Sequence, residues 1–173
     1  MKIVLHICCG VCAAGAGERL ILEGHKILGF FYNPNIYSKD EYQKRLEATY
    51  KVAKKLDFPL KVSNYEREKW LNKTHFLKNE PEGGKRCEIC FSLRLEKTYL
   101  FMLNYGWDRF TTTLTESPHK SQEIINQLGF IIGGDKFLVR NFKKKDGFRR
   151  SIQLAKDWEL YRQNYCGCIY SIR

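Results

Sequence analysis

Residues 2–12 read KIVLHICCGVC, a β-rich run that breaks at Gly10 and has cysteine at positions 8, 9 and 12. A near-continuous apolar run of this kind is typical of a strand buried inside a parallel sheet. Neighbouring side chains of a regular strand point to opposite faces, so Cys8 and Cys9 reach one centre only where the strand turns. Gly10 permits such a turn. The stretch therefore predicts a buried strand that ends at a thiol site.

Strand-like and helix-like runs alternate along the rest of the 173-residue chain. Apolar residues at helical spacing, and turn residues such as Asn33-Pro34-Asn35, set the bounds. We expect strands at 2–8, 26–32, 60–64, 109–115 and 136–142, and helices at 14–24, 42–56, 65–74, 88–104, 120–128 and 148–162. This order predicts an α/β fold, in which one Rossmann-like parallel sheet has helices on both faces. We expect a single domain over residues 1–173.

The seven cysteines fall into three tight groups, and an odd number fits a disulfide framework poorly. The groups are Cys8, Cys9 and Cys12, then Cys87 and Cys90, then Cys166 and Cys168. In a reducing compartment paired thiols indicate metal or redox chemistry. Two thiolates from Cys8/Cys9 and two from Cys87/Cys90 would complete a four-thiolate site, which suits zinc as well as an iron–sulfur cluster. The first group lies where a parallel sheet binds ligands, beyond the carboxyl end of a strand.

The net charge of +11 is concentrated in a basic C-terminal segment, at about 136–173, which has ten Lys/Arg against three Asp/Glu. A solvated face is the plainest interpretation of a charge run. The aromatic residues among these cations favour a polyanion partner, and nucleic acid more than a membrane surface. No apolar run approaches the roughly 20 residues that span a bilayer, so we expect a cytoplasmic protein.

Several polar residues are candidates for substrate contact or proton transfer. For proton donation we consider His6, Glu41, Tyr42 and Tyr165, which neighbour the cysteine motifs. Asn33 and Asn35 flank Pro34 and serve either the turn or the substrate. The proposed phosphate contacts are Arg86, Arg94, Lys120, Lys143, Lys144, Lys145, Arg149 and Arg150.

Six stretches together carry a family resemblance: HICCGVC, FFYNPNI, DEYQKR, EPEGGKRCEICFSLRLEKT, TTTLTESPHK and YCGCIYS. In this order, over nearly the whole chain, they resemble the QueH-type epoxyqueuosine reductases. The resemblance implies a fold related to the adenine-nucleotide α-hydrolase (HUP) group and a 4Fe–4S cluster. It implies a tRNA substrate whose wobble-position epoxyqueuosine is reduced to queuosine without cobalamin. By motif match, Cys8, Cys9, Cys87 and Cys90 would be the cluster ligands, and Cys166 and Cys168 a redox-active pair.

The turn CCGVC departs from the Gly- and Ser-rich phosphate loop that nucleotide-binding members of this fold group carry after the first strand. We therefore expect no ATP cofactor. Epoxide removal consumes two electrons, whereas a 4Fe–4S cluster passes them singly. A second carrier or an electrophilic metal is therefore needed: either a Cys166/Cys168 dithiol, or an extra iron held by this pair and Cys12 that binds the epoxide oxygen as a Lewis acid. The electron donor is unidentified.

Two other functions fit parts of the pattern. One is an iron–sulfur-dependent tRNA sulfur transferase of related fold, against which the missing phosphate loop argues. The other is a zinc-stabilised nucleic-acid-binding module, which four thiolates would also support.

Overall fold

The computed structural model describes residues 1–172. Its strands and helices alternate for most of the chain, as the sequence predicts. The strands are β1 (Lys2–Ile7), β2 (Lys26–Phe31), β3 (Leu60–Val62) and β4 (Arg109–Thr112). The helices are α1 (Gly10–Leu22), α2 (Lys39–Lys55), α3 (Arg67–Thr74), α4 (Lys85–Asn104), α5 (Gln122–Gly133) and α6 (Gly147–Asp157).

The four strands form one parallel sheet in the order β3-β2-β1-β4. From β1 the chain moves outward to β2 and β3, and then returns to pair β4 with the other side of β1. The direction of winding therefore reverses between β1 and β4. In sheets of this kind a crevice opens at that point, beyond the carboxyl ends of the two strands.

Alternate residues of β1 face the two apolar layers of the protein. Ile3, Leu5 and Ile7 pack in the layer formed with α1, α2 and α6. Val4 packs in the opposite layer, with residues of α4 such as Leu95. The predicted parallel sheet with helices on both faces is confirmed.

The predicted strand at 136–142 is wrong. Only Phe137 bridges to the sheet, at Phe110 of β4, and the Leu138 amide donates to the Phe110 carbonyl at 2.8 Å. Two residues later the side chain of Asn126 binds the backbone of Arg140, through its carbonyl at 3.0 Å and its amide at 3.4 Å. Because a side chain binds these groups, the ladder does not extend.

Several helix bounds also differ from the prediction, and two of the differences affect the site. Helix α1 begins at Gly10, so Cys12 lies in its first turn. Helix α6 ends at Asp157, and Glu159 has φ 50°, so the chain from 158 to 168 is irregular. No helix within residues 1–172 is both long and apolar enough to cross a membrane.

Candidate metal centre and cleft

Cys8, Cys9 and Cys12 form a buried thiol triad at the reversal point of the sheet. Their Sγ atoms all lie within 4.8 Å of one another, and those of Cys8 and Cys9 are 3.8 Å apart. Cys9 is the residue before α1 and is extended, with φ −167° and ψ 165°. Extended Cys9 and helical Cys12 therefore turn their thiols toward Cys8. Thr113, just after β4, accepts a hydrogen bond from the Cys8 amide at 3.1 Å and donates one to its Sγ at 3.3 Å.

The triad is electrostatically uneven. Hydrogen bonds from Cys12 and Cys9 hold the pKa of the Cys8 thiol well below its usual range, against the effect of burial. The pKa of Cys12 is raised well above its usual value. The largest cause is its hydrogen bond to Cys8, followed by its bond to Cys9 and by burial. For Cys9 the bond to Cys12 lowers the pKa, but the bond to Cys8 and burial raise it further, to about 11. Cys8 is therefore the first of the three to become a thiolate, which is the form that binds metal.

The other four cysteines form a second thiol neighbourhood. Cys87 and Cys90 lie in the first two turns of α4, and Cys168 packs with Cys90 against Trp70. Burial raises the pKa of Cys87 and Cys168, and that of Cys90 to about 11, and the neighbouring Cys166 raises all three pKa values further. The structure brings these four thiols near one another but not into the tight triad.

Arg94 of α4 lies between the two thiol groups. Its buried guanidinium donates to Asn33 Oδ1 at 2.9 Å and to Cys90 Sγ at 3.8 Å. Asn33 in turn donates to the Ile7 carbonyl at the end of β1, at 2.9 Å. The positive charge of Arg94 helps to lower the pKa of Cys8, and at Cys90 it opposes the larger effect of burial, which raises the pKa. This cation therefore favours thiolates in both groups, and Asn33 ties it to the sheet.

A cleft of about 380 Å³ opens over the triad. Cys8, Cys12 and Cys166 all line it, so thiols from the first and third cysteine groups share one space. Among the residues described, its charged lining consists of one carboxylate and four cations. These are Glu82, Arg45, Arg94, Lys120 and Arg162. Such a lining suits an anionic partner near a metal or redox centre.

Three of the four candidate proton donors have other partners. His6 is buried between Thr112 Oγ1 and the Tyr32 carbonyl, and burial lowers its pKa to about 3. Glu41 accepts hydrogen bonds at both carboxylate oxygens, and Tyr42 packs on aromatic rings. Tyr165 alone of the four lines the cleft.

The predicted phosphate contacts occupy three kinds of place. Arg94 and Lys120 line the cleft, whereas Arg86 is buried and donates to three carbonyls of the loop before α4, with distances of 2.6–3.1 Å. Lys143 donates to the Ser117 and Lys120 carbonyls. The rest are on the surface: Lys144, Lys145 and Arg149 are exposed, and exposed Arg150 pairs with Glu18 at 2.7 Å. Their contacts with tRNA stay predictions.

Two buried charged residues at the site were not predicted from the sequence. Arg45 of α2 donates to the carbonyls of Tyr165 and Cys166. Glu116, after β4, accepts a hydrogen bond from Ser151 at 2.6 Å, and burial raises its pKa to about 7. For Arg45 the sequence held one signal, a Glu41–Arg45 pair at helical i,i+4 spacing. Nothing in the sequence distinguishes Glu116 from an exposed carboxylate.

Comparison with known families gives a match over residues 3–173 to the model described as "Epoxyqueuosine reductase QueH". Curated relatives of the same name are similar along their length. The chain is 37% identical to the one from Thermotoga maritima over 178 residues, covering 98% of this chain and 90% of that protein. It is 36% identical to the one from Streptococcus pyogenes serotype M1 over 183 residues, covering 99% and 71%.

Solved structures agree on the fold. The U34-tRNA thiolase NcsA from Methanococcus maripaludis, determined with its [4Fe-4S] cluster, superposes with a TM-score of 0.62 at 13% identity, covering 100% of this chain and 62% of that one. An NMN synthetase from Francisella tularensis gives 0.57 at 13% identity, covering 95% and 66%. These neighbours share the parallel α/β fold of this chain. The family match and its relatives decide among the three functions considered from the sequence: the chain belongs to the epoxyqueuosine reductase QueH family.

Proposed function

We propose that this chain reduces epoxyqueuosine in tRNA at the cleft that Cys8, Cys12 and Cys166 line, using an iron–sulfur cluster bound by its cysteines. The observation that carries the proposal is the thiol triad at the reversal point of the sheet, with all Sγ atoms within 4.8 Å. Family membership supplies the reaction, an oxidoreduction of the modified base.

The donor set fits an iron–sulfur cluster. Thiolates are its usual ligands in proteins, and all seven cysteines are free thiols. Arg94 supplies a buried positive charge beside them, which favours the thiolate form. We propose that Cys8, Cys9, Cys87 and Cys90 are the four ligands of one 4Fe–4S cluster. The cluster, when bound, supplies single electrons to the cleft.

Cys166 and Cys168 are proposed as the second electron source. When two thiols form a disulfide they release two electrons and two protons. Removal of the epoxide oxygen as water consumes these two electrons and two protons and leaves a carbon–carbon double bond. Cys166 lines the cleft, whereas Cys168 is buried against Trp70. Cys166 is therefore the thiol of the pair with access to substrate. The alternative is a second iron held by this pair and Cys12.

The ligand assignment is tested by serine variants of each cysteine, purified without oxygen. Cys8→Ser, Cys9→Ser, Cys87→Ser and Cys90→Ser should each lower iron and sulfide content and abolish turnover, while Cys12→Ser should retain the cluster. Cys12 is the matched control, because it lies in the same triad. Full cluster content in Cys87→Ser or Cys90→Ser, with loss in Cys12→Ser, would replace the proposed set with one centred on the triad.

The role of the C-terminal pair is tested by the double variant Cys166→Ser/Cys168→Ser. It should keep the visible absorption of the cluster while epoxyqueuosine persists in the tRNA. Thiol counting after one turnover without reductant then separates the two roles. A dithiol donor shows two fewer thiols in the wild type, whereas an iron site shows extra iron that the double variant lacks.

For tRNA binding we propose the exposed basic surface before and on α6, with Lys144, Lys145 and Arg149 as its centre. Within residues 1–172 these three have no ion-pair partner, whereas Arg140 and Arg150 are paired with Glu23 and Glu18. Unpaired cations are better placed to neutralise phosphates.

A further inference from the structure

Arg45 has a buried guanidinium, 3% exposed, that extends from helix α2 to the segment carrying Cys166 and Cys168. Its orientation is set on the helix side. Arg45 Nε donates to Glu41 Oε1 at 2.6 Å, and the other carboxylate oxygen of Glu41 accepts from the Tyr161 hydroxyl at 2.6 Å. With both carboxylate oxygens bound, Glu41 holds the guanidinium in one place.

The outer nitrogens of Arg45 bind the cysteine segment. Nη1 donates to the Cys166 carbonyl at 2.9 Å and Nη2 to the Tyr165 carbonyl at 3.3 Å. The guanidinium also lies 5.3 Å from the centre of the Tyr165 ring. A planar fork of donors can hold two neighbouring carbonyls at once, which a lysine ammonium on a flexible stem holds less well.

The glycine between the two cysteines is explained by this contact. Gly167 has φ +112°, which side-chain-bearing residues rarely adopt, and a Cβ there would lie 2.8–3.0 Å from Arg45 Nη1, Nη2 and Cζ. The backbone therefore passes directly against the guanidinium. On its other side the Gly167 carbonyl accepts from the Tyr37 amide at 2.6 Å.

Within this segment the two thiols point to different surroundings. Cys166 lines the cleft with Cys8 and Cys12, while Cys168 is buried beside Cys90 and 3.4 Å from the Ser171 hydroxyl. No helix or strand holds residues 158–168, so individual contacts decide where Cys166 lies. Arg45 makes two of those contacts, both to backbone next to the Cys166 side chain.

We propose that Arg45 is the positioning residue that holds the Cys166 thiol at the cleft for epoxyqueuosine reduction. This rests on the proposed function above, in which Cys166 and Cys168 supply two electrons and two protons as they form a disulfide. Arg45 itself transfers neither electrons nor protons. It fixes the place of Cys166 before substrate arrives, so its loss lowers the rate of the chemical step more than it lowers substrate affinity.

The test uses the full chain as purified without oxygen, in the variants Arg45→Met and Arg45→Lys. A misplacement of about 1 Å costs on the order of 100-fold in rate, so we expect kcat of Arg45→Met to fall by about that factor while KM for the tRNA changes little. Arg45→Lys should recover part of the loss. The alkylation rate of Cys166, followed by mass spectrometry, should rise several-fold in Arg45→Met, because the segment opens more often.

Two further variants keep the test decisive. Glu41→Gln/Arg45→Met removes both buried charges, so no unpaired carboxylate remains to unfold the protein. It should show the same loss of kcat and the same faster alkylation. Lys51→Met is the control, an exposed cation of the same helix that loses the same charge, and should match the wild type.

The outcomes separate the inference from the function beneath it. A folded Arg45→Met, or the double variant, with kcat and Cys166 alkylation equal to wild type would overturn the role of Arg45. If Arg45→Met loses the expected activity while the alkylation rate of Cys166 stays at the wild-type value, the role is also overturned, because the loss of activity would not act through Cys166. If Cys166→Ser/Cys168→Ser still reduces epoxyqueuosine, the proposed function of the pair is wrong, whatever Arg45 does.

Discussion

The triad and the Cys166–Cys168 segment supply thiols to one cleft, but they are held in place by different means. Cys8 and Cys9 connect a central strand to the helix that follows it, and Cys12 lies in the first turn of that helix. Cys166 and Cys168 lie in irregular chain and depend on contacts from α2 and from the Tyr37 amide. In the first region the fold itself sets thiol geometry, and in the second a few individual contacts do.

This difference teaches where substitutions should act. A change that disturbs the packing beneath the triad must disturb the fold, because the same atoms serve both. A change at the contacts of the C-terminal segment should alter activity while leaving most of the stability. The two regions should therefore respond differently to substitution.

The largest effect is expected for Gly10→Ala. A Cβ at Gly10 would lie 2.7 Å from Ala48 Cβ and 2.8 Å from its carbonyl carbon, so helix α2 would have to move. Overpacking of this kind costs about 2–3 kcal/mol. Urea unfolding should show that loss in the free energy of unfolding, together with lower iron content.

Gly17→Ala is the matched control on the same helix. There a Cβ would meet the end of the Leu56 side chain at 3.1 Å, which can move, and the Phe58 ring at an ordinary contact distance of 3.5 Å. Alanine also has the better helix propensity, by about 1 kcal/mol. Stability near that of wild type is expected; an equal loss in both variants would show that the helix, rather than the contact with Ala48, limits stability.

Gly167→Ala tests the other region. The φ of +112° and the close guanidinium of Arg45 should cost about 1–2 kcal/mol locally, and the segment should shift. We expect turnover to fall on the order of 100-fold, while the urea midpoint changes little. Gly106→Ala, with φ +64° and open space around the Cβ, is the control for strain alone and should retain turnover. Full activity in Gly167→Ala would mean that the segment tolerates movement.

Glu116→Gln tests the region of the triad through the pH dependence of the free energy of unfolding. Burial raises the pKa of Glu116 from 4.5 to about 7, so the folded protein keeps this proton where the unfolded chain has lost it. The free energy of unfolding should therefore fall as pH rises from 4.5 to 7, with a slope of up to about 1.4 kcal/mol per pH unit. In Glu116→Gln that decline should be absent.

His6 acts in the opposite sense, in both proteins equally. Its pKa is lowered from 6.5 to about 3, so its contribution to stability grows as pH rises between those values. The informative quantity is therefore the difference between wild type and Glu116→Gln at each pH. A difference that stays constant from pH 4 to 8 would contradict a raised pKa at Glu116.

The smallest effect is expected for Lys144→Gln/Lys145→Gln, two exposed residues just before α6. Each phosphate contact contributes about 0.7–0.9 to the slope of log affinity against log salt, so the double variant should flatten the slope by roughly 1–2 while retaining turnover at saturating tRNA. Arg150→Gln, whose charge is already paired with Glu18, should flatten it less. An unchanged slope in the double variant would mean that Lys144 and Lys145 belong to a solvated face that does not contact tRNA.

The sequence predicted the features that periodicity and local chemistry specify. The strands around KIVLHIC and RFTTTLT, and the thiol site at the end of the first, follow from apolar runs and from Gly10. The strand at 136–142 failed because the side chain of Asn126, which binds Arg140, is distant in sequence and leaves no local pattern.

The same limit explains the two residues that were missed. Arg45 lies in DEYQKR, where a charged residue on a helix is usually solvated. Its burial depends on a segment 120 residues later folding over it. Glu116 is buried only because α1 presents Gly15 and α6 presents Ser151 around its carboxylate. Pairings of this range are decided by tertiary packing.

The irregular segment after α6 also fixes an order of events during synthesis. Cys8, Cys9 and Cys12 leave the ribosome first, and Thr113, which binds Cys8, follows with β4. At about 5–20 residues per second, Cys166 emerges several seconds after that strand. During this interval Cys166 does not yet line the space over the triad. Once Arg45 binds the Tyr165 and Cys166 carbonyls, the C-terminal segment is in place beside the thiol triad.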